Sequence, residues 1–595
     1  MIAADNIRYQ PADRAQGLAA GGIGAMPLVA RRSGLVADID QRPHLLKRHL
    51  PDHEPDHVPN IAFDIPAGGT RIEHLELRRN DEVYLNALSA QRVPDPTTAG
   101  DFGRRFGLGD ALDLMDAINR ARLRVWARQP DAFFDRATID VDGTLVATDA
   151  GCEQGAGIAY DGTWGYHPPV VSLADTQEPL SLVNRGGNRP SHELAASFID
   201  RAITPCRAAG FRSILPRGDT DFTRTRHLDR WDGAGDVRFL FGIDAREDLV
   251  ALAEQLPGSA YSDLERPARA IKTAPRQRPE RHKERIVRER GFEALLTVEE
   301  MVAGFDYQPT ACDRAYRVVA LRKRLATGKG QLRLFEGYRY FFLITNDRDM
   351  PAGRVVLTAN GRRDQENLIA QLKGGVHALT TPVDDLMGTW AYMVMASLAW
   401  GLKAWAALPV PESPRHAAKH RAEKRALSRT ESRTFCAAVI EMPCQVIRGG
   451  HRLVYRSLSW TPWRGVFLRL VGRLHGRWLC WTRGTRSRGP DAPVRVGRPA
   501  AEGGDALSTT DEGPATGRAA RGGRDPVAWL SPVHWRTEVY ITLVLRLVSS
   551  RSGATSQPVP NQRLPAPSSR TPLMTRLTRS LATEREASSP CCKKR

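Results

Sequence analysis

The segment 136–146, Arg-Ala-Thr-Ile-Asp-Val-Asp-Gly-Thr-Leu-Val, constrains this chain more than any other. It reads as a buried strand, and side chains two apart on a strand share a face. Asp140 and Asp142 therefore stand together, with Ile139 and Val141 opposite. Two carboxylates side by side on a core strand repel unless a cation or hydrogen bonds offset them, which favours a metal site. The following pattern predicts a hairpin over 170–174 and 179–184, a helix over 191–209 with Ser191 as N-cap, and strands over 212–216 and 237–243. That succession is an α/β layer sandwich. A second acidic pair, Asp219 and Asp221, follows the strand 212–216, where open α/β sheets place their ligands.

Composition frames this core. At 595 residues the chain suggests three or four structural units, and 41% apolar with 26% charged residues excludes wholesale disorder. A net charge of +19 points toward a polyanionic partner, but residues 476–595 hold 20 basic and 9 acidic side chains, more than half the excess. That tail is aperiodic and rich in Arg, Pro and Ser, so no structure is expected there. The eight cysteines form no Cys-x-x-Cys pair and read as reduced thiols of a cytosolic protein. The first residues lack a secretory pattern, and the apolar run 390–408 reads as a core helix in preference to a membrane span.

The region 1–130 shows helical periodicity at 58–65, 71–77, 81–89 and 111–126, a helix start at 97–102, and no strand. Arg71, Arg78, Arg79, Arg92, Arg104 and Arg105 could lie on DNA phosphates or form a solvated face, since acids are interleaved with them. Between 244 and 349 lies a mixed insertion with a basic run at 272–290 and β-type segments at 316–321 and 338–345. Helices resume at 352–379, followed by the basic stretch 415–433. On the first of these, at about 100° per residue, Glu366 falls about 40° and Lys373 about 20° round the axis from Arg362, so the three share one edge. Three carboxylates from two strands and a helix suit two Mg²⁺ ions about 4 Å apart, with Arg and Lys holding phosphates. The reaction so implied is phosphodiester cleavage or transfer.

Several segments carry a family resemblance: Asp56-His57-Val58, Asn60-Ile61-Ala62, Leu77-Arg78-Arg79-Asn80-Asp81, 94–102, Tyr166-His167-Pro168, 217–222 and Gln365-Glu366-Asn367. Over about residues 50 to 470 the chain resembles bacterial insertion-sequence transposases of the Asp-Asp-Glu type, closely those of the group of insertion sequence thirteen-eighty. The resemblance implies a ribonuclease-H-like catalytic core interrupted by a mainly β insertion, with an all-α N-terminal region and a helical, then unstructured, C-terminus. The corresponding divisions are 1–130 (DNA-binding), 131–244 (core), 245–349 (insertion), 350–410 (core, with Glu366), 411–475 (basic, helical) and 476–595 (tail). It assigns Asp142, Asp219 and Glu366 as the catalytic acids and ligands of Mg²⁺, with Mn²⁺ as an alternative. Arg362 and Lys373 match the Tyr-Arg-Glu-Lys signature of related transposases as DNA contacts, but Ala359 stands at the Tyr position. No Trp lies between Trp231 and Trp390 to stack a flipped base in the insertion, so no hairpin route is implied. The implied partners are double-stranded DNA, as inverted-repeat ends and target, and a second copy of the chain. The implied setting is the cytoplasmic nucleoid, without a membrane.

Two other readings compete. Asp140-x-Asp142-Gly143-Thr144 resembles the opening motif of haloacid-dehalogenase-type phosphatases, with Asp140 as nucleophile and Asp142 as acid/base. Such an enzyme needs a lysine, absent from 143–220, and an Asp where Thr223 stands. The other is a catalytically inactive, transposon-derived DNA-binding protein, favoured by the tail and disfavoured by the retention of all three acids.

Overall fold

The computed structural model describes residues 16–46, 53–267, 294–329, 337–449, 452–458 and 461–476. The run 272–290 and the tail lie outside the described residues. At the centre is strand β1 (Ala137–Gly143), flanked by the antiparallel hairpin β2 (Pro169–Leu173) and β3 (Glu178–Leu182). On its other side β4 (Ile214–Gly218) and β5 (Leu240–Ile243) run parallel, giving the order β3-β2-β1-β4-β5. The predicted hairpin, crossover helix and two strands are thus all present.

The sheet does not end at β5. Strands β6 (Ala294–Tyr307), β7 (Tyr316–Lys329) and β8 (Gly337–Thr345) form an antiparallel set, with β8 paired to β5. The insertion therefore prolongs the central sheet to nine strands, ending in the short strand Ser262–Asp263. Sequence alternation located parts of β7 and β8; β6 was not foreseen.

Before the sheet come α1 (Glu54–Asp64) and α2 (Leu108–Trp126); α3 (Ala195–Ala209) is the crossover between β3 and β4. After it come α4 (Ala352–Asn360), α5 (Arg363–Gly374) and α6 (Leu386–Ala407). The expected single helix 352–379 is broken at Gly361–Arg362 into α4 and α5. Nor does Ser191 cap α3: Leu194, with φ of 59°, occupies that position, and the Ser191 carbonyl instead accepts Arg185. A strand, Gln16–Leu18, also occurs in the region read as all-helical. It pairs with a C-terminal strand, a long-range contact that local periodicity cannot reveal.

Helix α6 is buried around its whole circumference and capped by Asp385, which accepts the Gly388 N–H at 2.6 Å. No helix among the described residues is long and apolar enough to cross a membrane. Together α2 and α6 cover the edge strand β3. Its carbonyls at Pro179, Leu180 and Leu182 accept Arg122, Asn119 and Trp390 side chains at 2.6, 3.2 and 2.6 Å. Buried Glu178 accepts Arg122, Trp126 and Trp405 at 3.0, 2.9 and 2.7 Å. An open edge would present unpaired backbone groups to other chains. Here side chains satisfy them and fix the N-terminal helices to the core.

Of the arginines expected to face DNA from this region, Arg78 pairs with Asp64, Arg79 with Glu76, and Arg104 with Asp101 and Asp384. Helix α4 lays Val355 and Val356 onto Leu215, Leu240, Val319 and Leu321, joining core and insertion in one apolar cluster.

Candidate active site

β1 and β4 are adjacent and parallel, so their carboxyl ends open onto the same crevice. Asp142 stands at the end of β1, where Oδ1 accepts the Gly143 N–H at 2.8 Å. Asp219 follows β4 directly and caps the short turn Thr220–Phe222, accepting the Asp221 N–H at 3.1 Å. Arg362 lies between the two acids. Its Nη1 donates to Asp142 at 3.0 Å and its Nη2 lies 3.5 Å from Asp219.

The placement of Arg362 depends on two buried anchors. Arg217 on β4 makes a bidentate ion pair with Asp140, and its Nη1 donates to the Thr358 carbonyl near the end of α4 at 2.5 Å. Gly361 lets that guanidinium approach, since a Cβ there would sit 2.7 Å from Arg217 Nη1. On the next turn Gln365 donates to the Val170 carbonyl at 2.9 Å and accepts the Ser172 hydroxyl, pinning α5 to β2. Glu366 therefore lies in the first turn of α5, exposed to solvent.

Burial pushes the Asp142 carboxyl up to about 6, with Arg362 opposing and the negative charges of Asp219 and Glu366 adding to the rise. Burial raises Asp219 as well, against the pull of Arg362. The three acids thus share one electrostatic neighbourhood. Among the described residues, however, no three His, Cys, Asp or Glu side chains are grouped tightly enough to hold a metal ion. Arg362 occupies the space between the two aspartates. Carboxylate oxygens of this kind are hard donors, the type that divalent cations with oxygen ligands take.

Lys373, in the last turn of α5, donates to the Leu145 carbonyl at 2.7 Å and so holds the segment leaving Asp142. Burial lowers its pKa. Asp140, paired with Asp142 in the sequence reading, has no exposure and is fully engaged by Arg217. This disposes of it as the nucleophile that a phosphatase would need. Asp221 remains at the surface, with Ser191 Oγ 3.5 Å away.

A cleft of about 760 Å³ runs from Asp219 and Arg362 to the insertion strands. It is lined there by Lys323, Tyr338, Arg339 and Phe341, with Lys323 and Arg339 each 5.1 Å from the Phe341 ring centre. Sequence reasoning missed these residues because it sought a Trp in the insertion. The run Tyr338-Arg339-Tyr340-Phe341-Phe342 was the available signal.

Against known proteins, residues 62–473 match the family described as Transposase DDE domain group 1. No curated protein matches the chain. A solved cryo-EM structure, the piggyBac transposase synaptic complex with hairpin DNA, is similar over 69% of this chain and 78% of that one, at 8% identity and a TM-score of 0.31.

Proposed function

The chain belongs to the family of transposase DDE domains, group 1, and from that premise we propose that it mobilises a bacterial insertion sequence by cutting and rejoining DNA strands. On this reading it is of the group of insertion sequence thirteen-eighty and the Tyr-Arg-Glu-Lys branch, with a ribonuclease-H-like core. The order β3-β2-β1-β4-β5, with helix α3 crossing between β3 and β4, supports that fold.

One observation carries the proposal: Asp142 and Asp219 end adjacent parallel strands, joined by Arg362, and the charge of Glu366 reaches Asp142. Asp142, Asp219 and Glu366 are the side chains that would hold two Mg²⁺ ions. When bound, those ions supply charge neutralisation at the scissile phosphate and acidify an attacking water or 3′-hydroxyl. Arg362 balances the two aspartates and, when released from them, offers a planar pair of donors to a phosphate. Lys323 and Arg339 face the DNA backbone across the cleft. Lys373 acts through the Leu145 carbonyl, keeping the end of β1 in place. The N-terminal helical region and the basic helix Ala417–Arg429 bind the inverted-repeat ends, and a dimer pairs two ends.

The test uses the full chain, a duplex carrying the element's inverted repeat, and Mg²⁺. Asp219→Asn and Glu366→Gln should each lower strand nicking by about 10²-fold or more while end binding stays within a few-fold. Nicking that survives Glu366→Gln undiminished would remove that residue from the site. Turnover of a small phosphoester without DNA would overturn the whole reading.

A further inference from the structure

Far along the chain from the crevice, β9 (Cys444–Gly449) and β10 (Arg452–Ser457) form an antiparallel ribbon, with β9 also paired to the strand Gln16–Leu18. Its two faces differ. One places Cys444 and Val446 in the core and turns Tyr455 and Arg448 toward the helix Glu82–Leu88, where Tyr455 donates to the Val83 carbonyl and Arg448 pairs with Glu82. The other carries Gln445, Ile447, Arg452, Val454 and Arg456. Register sets Gln445 opposite Arg456 and Ile447 opposite Val454. Arg452, Val454 and Arg456 are all exposed, Val454 at 49%.

Two features of this second face need an explanation. An exposed β-branched residue lies between two arginines on the edge strand of a sheet. Neither strand contains an acid, and no ion pair to Arg452 or Arg456 occurs among the described residues. A core-forming strand would have no use for this pattern, and a solvated one would intersperse acids. Self-pairing of two copies about Val454 would bring Arg452 against Arg456 of the other copy, a like-charge contact that disfavours dimerisation through this edge.

We infer that this ribbon face enters the major groove of duplex DNA and reads part of the inverted-repeat end. The inference rests on the transposase reading above. Arg452 and Arg456 are four residues apart on one face, so their Cα atoms are separated by about 13 Å at roughly 3.3 Å per residue. The major groove is about 12 Å wide and admits a two-stranded ribbon. Each arginine then reaches the phosphates of one rim, and Val454 and Ile447 between them face the base edges. Apolar side chains recognise the thymine methyl, and a glutamine amide matches the adenine edge. The ribbon is therefore assigned to A·T pairs within the end, with the arginines fixing its position and Val454, Ile447 and Gln445 supplying specificity.

The experiment measures binding of the full chain to a labelled inverted-repeat duplex and to a scrambled duplex by fluorescence anisotropy, without divalent metal, over about 50 to 300 mM salt. Arg452→Gln/Arg456→Gln should weaken binding to both duplexes about tenfold or more and reduce the slope of log K against log salt by about 1.8, at about 0.9 per phosphate. Arg452→Lys/Arg456→Lys should keep the slope, which separates lost charge from a damaged fold. Val454→Ala should lower the ratio of specific to scrambled affinity about three- to tenfold without changing the slope. Replacing thymine by uracil in the end should cost wild type the same amount and cost Val454→Ala nothing further. If wild type binds the end and the glutamine pair leaves affinity and slope unaltered, the ribbon assignment is wrong while the transposase reading stands. If the variants change the mass of the protein in solution and not its DNA binding, the face is a contact between copies. If wild type binds no duplex, the transposase reading fails first and this assignment falls with it.

Discussion

The Asp140–Arg217 pair offers the sharpest test of how the crevice is built, because the neighbouring acids Asp140 and Asp142 look equivalent in sequence and are assigned opposite duties here. Asp140 has no exposure and its partner guanidinium is 9% exposed. Asp140→Asn keeps the shape but leaves a buried positive charge without its carboxylate, a change that costs about 3–5 kcal/mol. Arg217→Met strips the other partner. The Asp140 carboxyl can then take up a proton, so that cost is smaller, but the Thr358 carbonyl also loses its donor, adding about 1–3 kcal/mol. The double substitution removes both charges together and should be less destabilising than the two single losses combined by about 0.5–3 kcal/mol. Urea denaturation followed by tryptophan fluorescence measures all three variants. Nicking is then assayed under conditions where each remains folded. Asp140→Asn should retain nicking, whereas the double variant, having lost the Thr358 tether that helps place Arg362 and Glu366, should lose about tenfold. Should fully folded Asp140→Asn show no nicking with a stability change below about 1 kcal/mol, Asp140 is a chemical group and the structural account of the pair is refuted.

Other outcomes follow from the same geometry. Asp142 has a folded-state pKa of about 6, above the ordinary 3.8, so its charge opposes folding above pH 6 and the penalty fades as pH falls from 6 toward 3.8. In chelator, Asp142→Asn should therefore be more stable than wild type by up to about 3 kcal/mol at pH 8 and about equal at pH 4, while abolishing nicking; thermal melts at the two pH values check the sign. Gln365→Leu leaves the Ser172 hydroxyl and Val170 carbonyl without their partner, and should cost about 2–4 kcal/mol and slow nicking more than it weakens end binding. Lys403 is buried against the Trp400 ring, donates to the Ser428 carbonyl, and is pushed down by burial to about 7. Its charge therefore penalises the fold below pH 7, and stability should rise by about 2 kcal/mol between pH 7 and pH 9 in denaturation curves, a rise that Lys403→Met should lack.

By itself the sequence determined the central succession of hairpin, crossover helix and two strands, and where candidate acids stand along it. Alternation over 136–146 and the acidic turn at 217–222 are local properties of the chain; they locate β1 and the end of β4 with an acidic pair at each, and the choice of Asp142 and Asp219 as candidate acids came from the family resemblance. Glu366, Arg362 and Lys373 were legible from helical spacing and resemblance, although the helix on which that spacing was counted breaks at Gly361–Arg362. The break follows Asn360, beside the Thr358 carbonyl that the Arg217 side chain reaches from another strand. The resemblance had already selected Asp142 over Asp140, and the tertiary structure supplied the physical reason. Both lie on one strand two residues apart, and only the arrival of a buried guanidinium beside one of them turns that acid into a structural ion pair and leaves the other at the crevice. The continuation of the insertion into the central sheet, the basic cleft it forms with Asp219, and the ribbon closed by a strand from the opposite end of the chain share this origin. Each is a pairing between segments far apart in sequence, whose partners are chosen by burial and hydrogen bonding in three dimensions and leave no trace in the spacing of either segment.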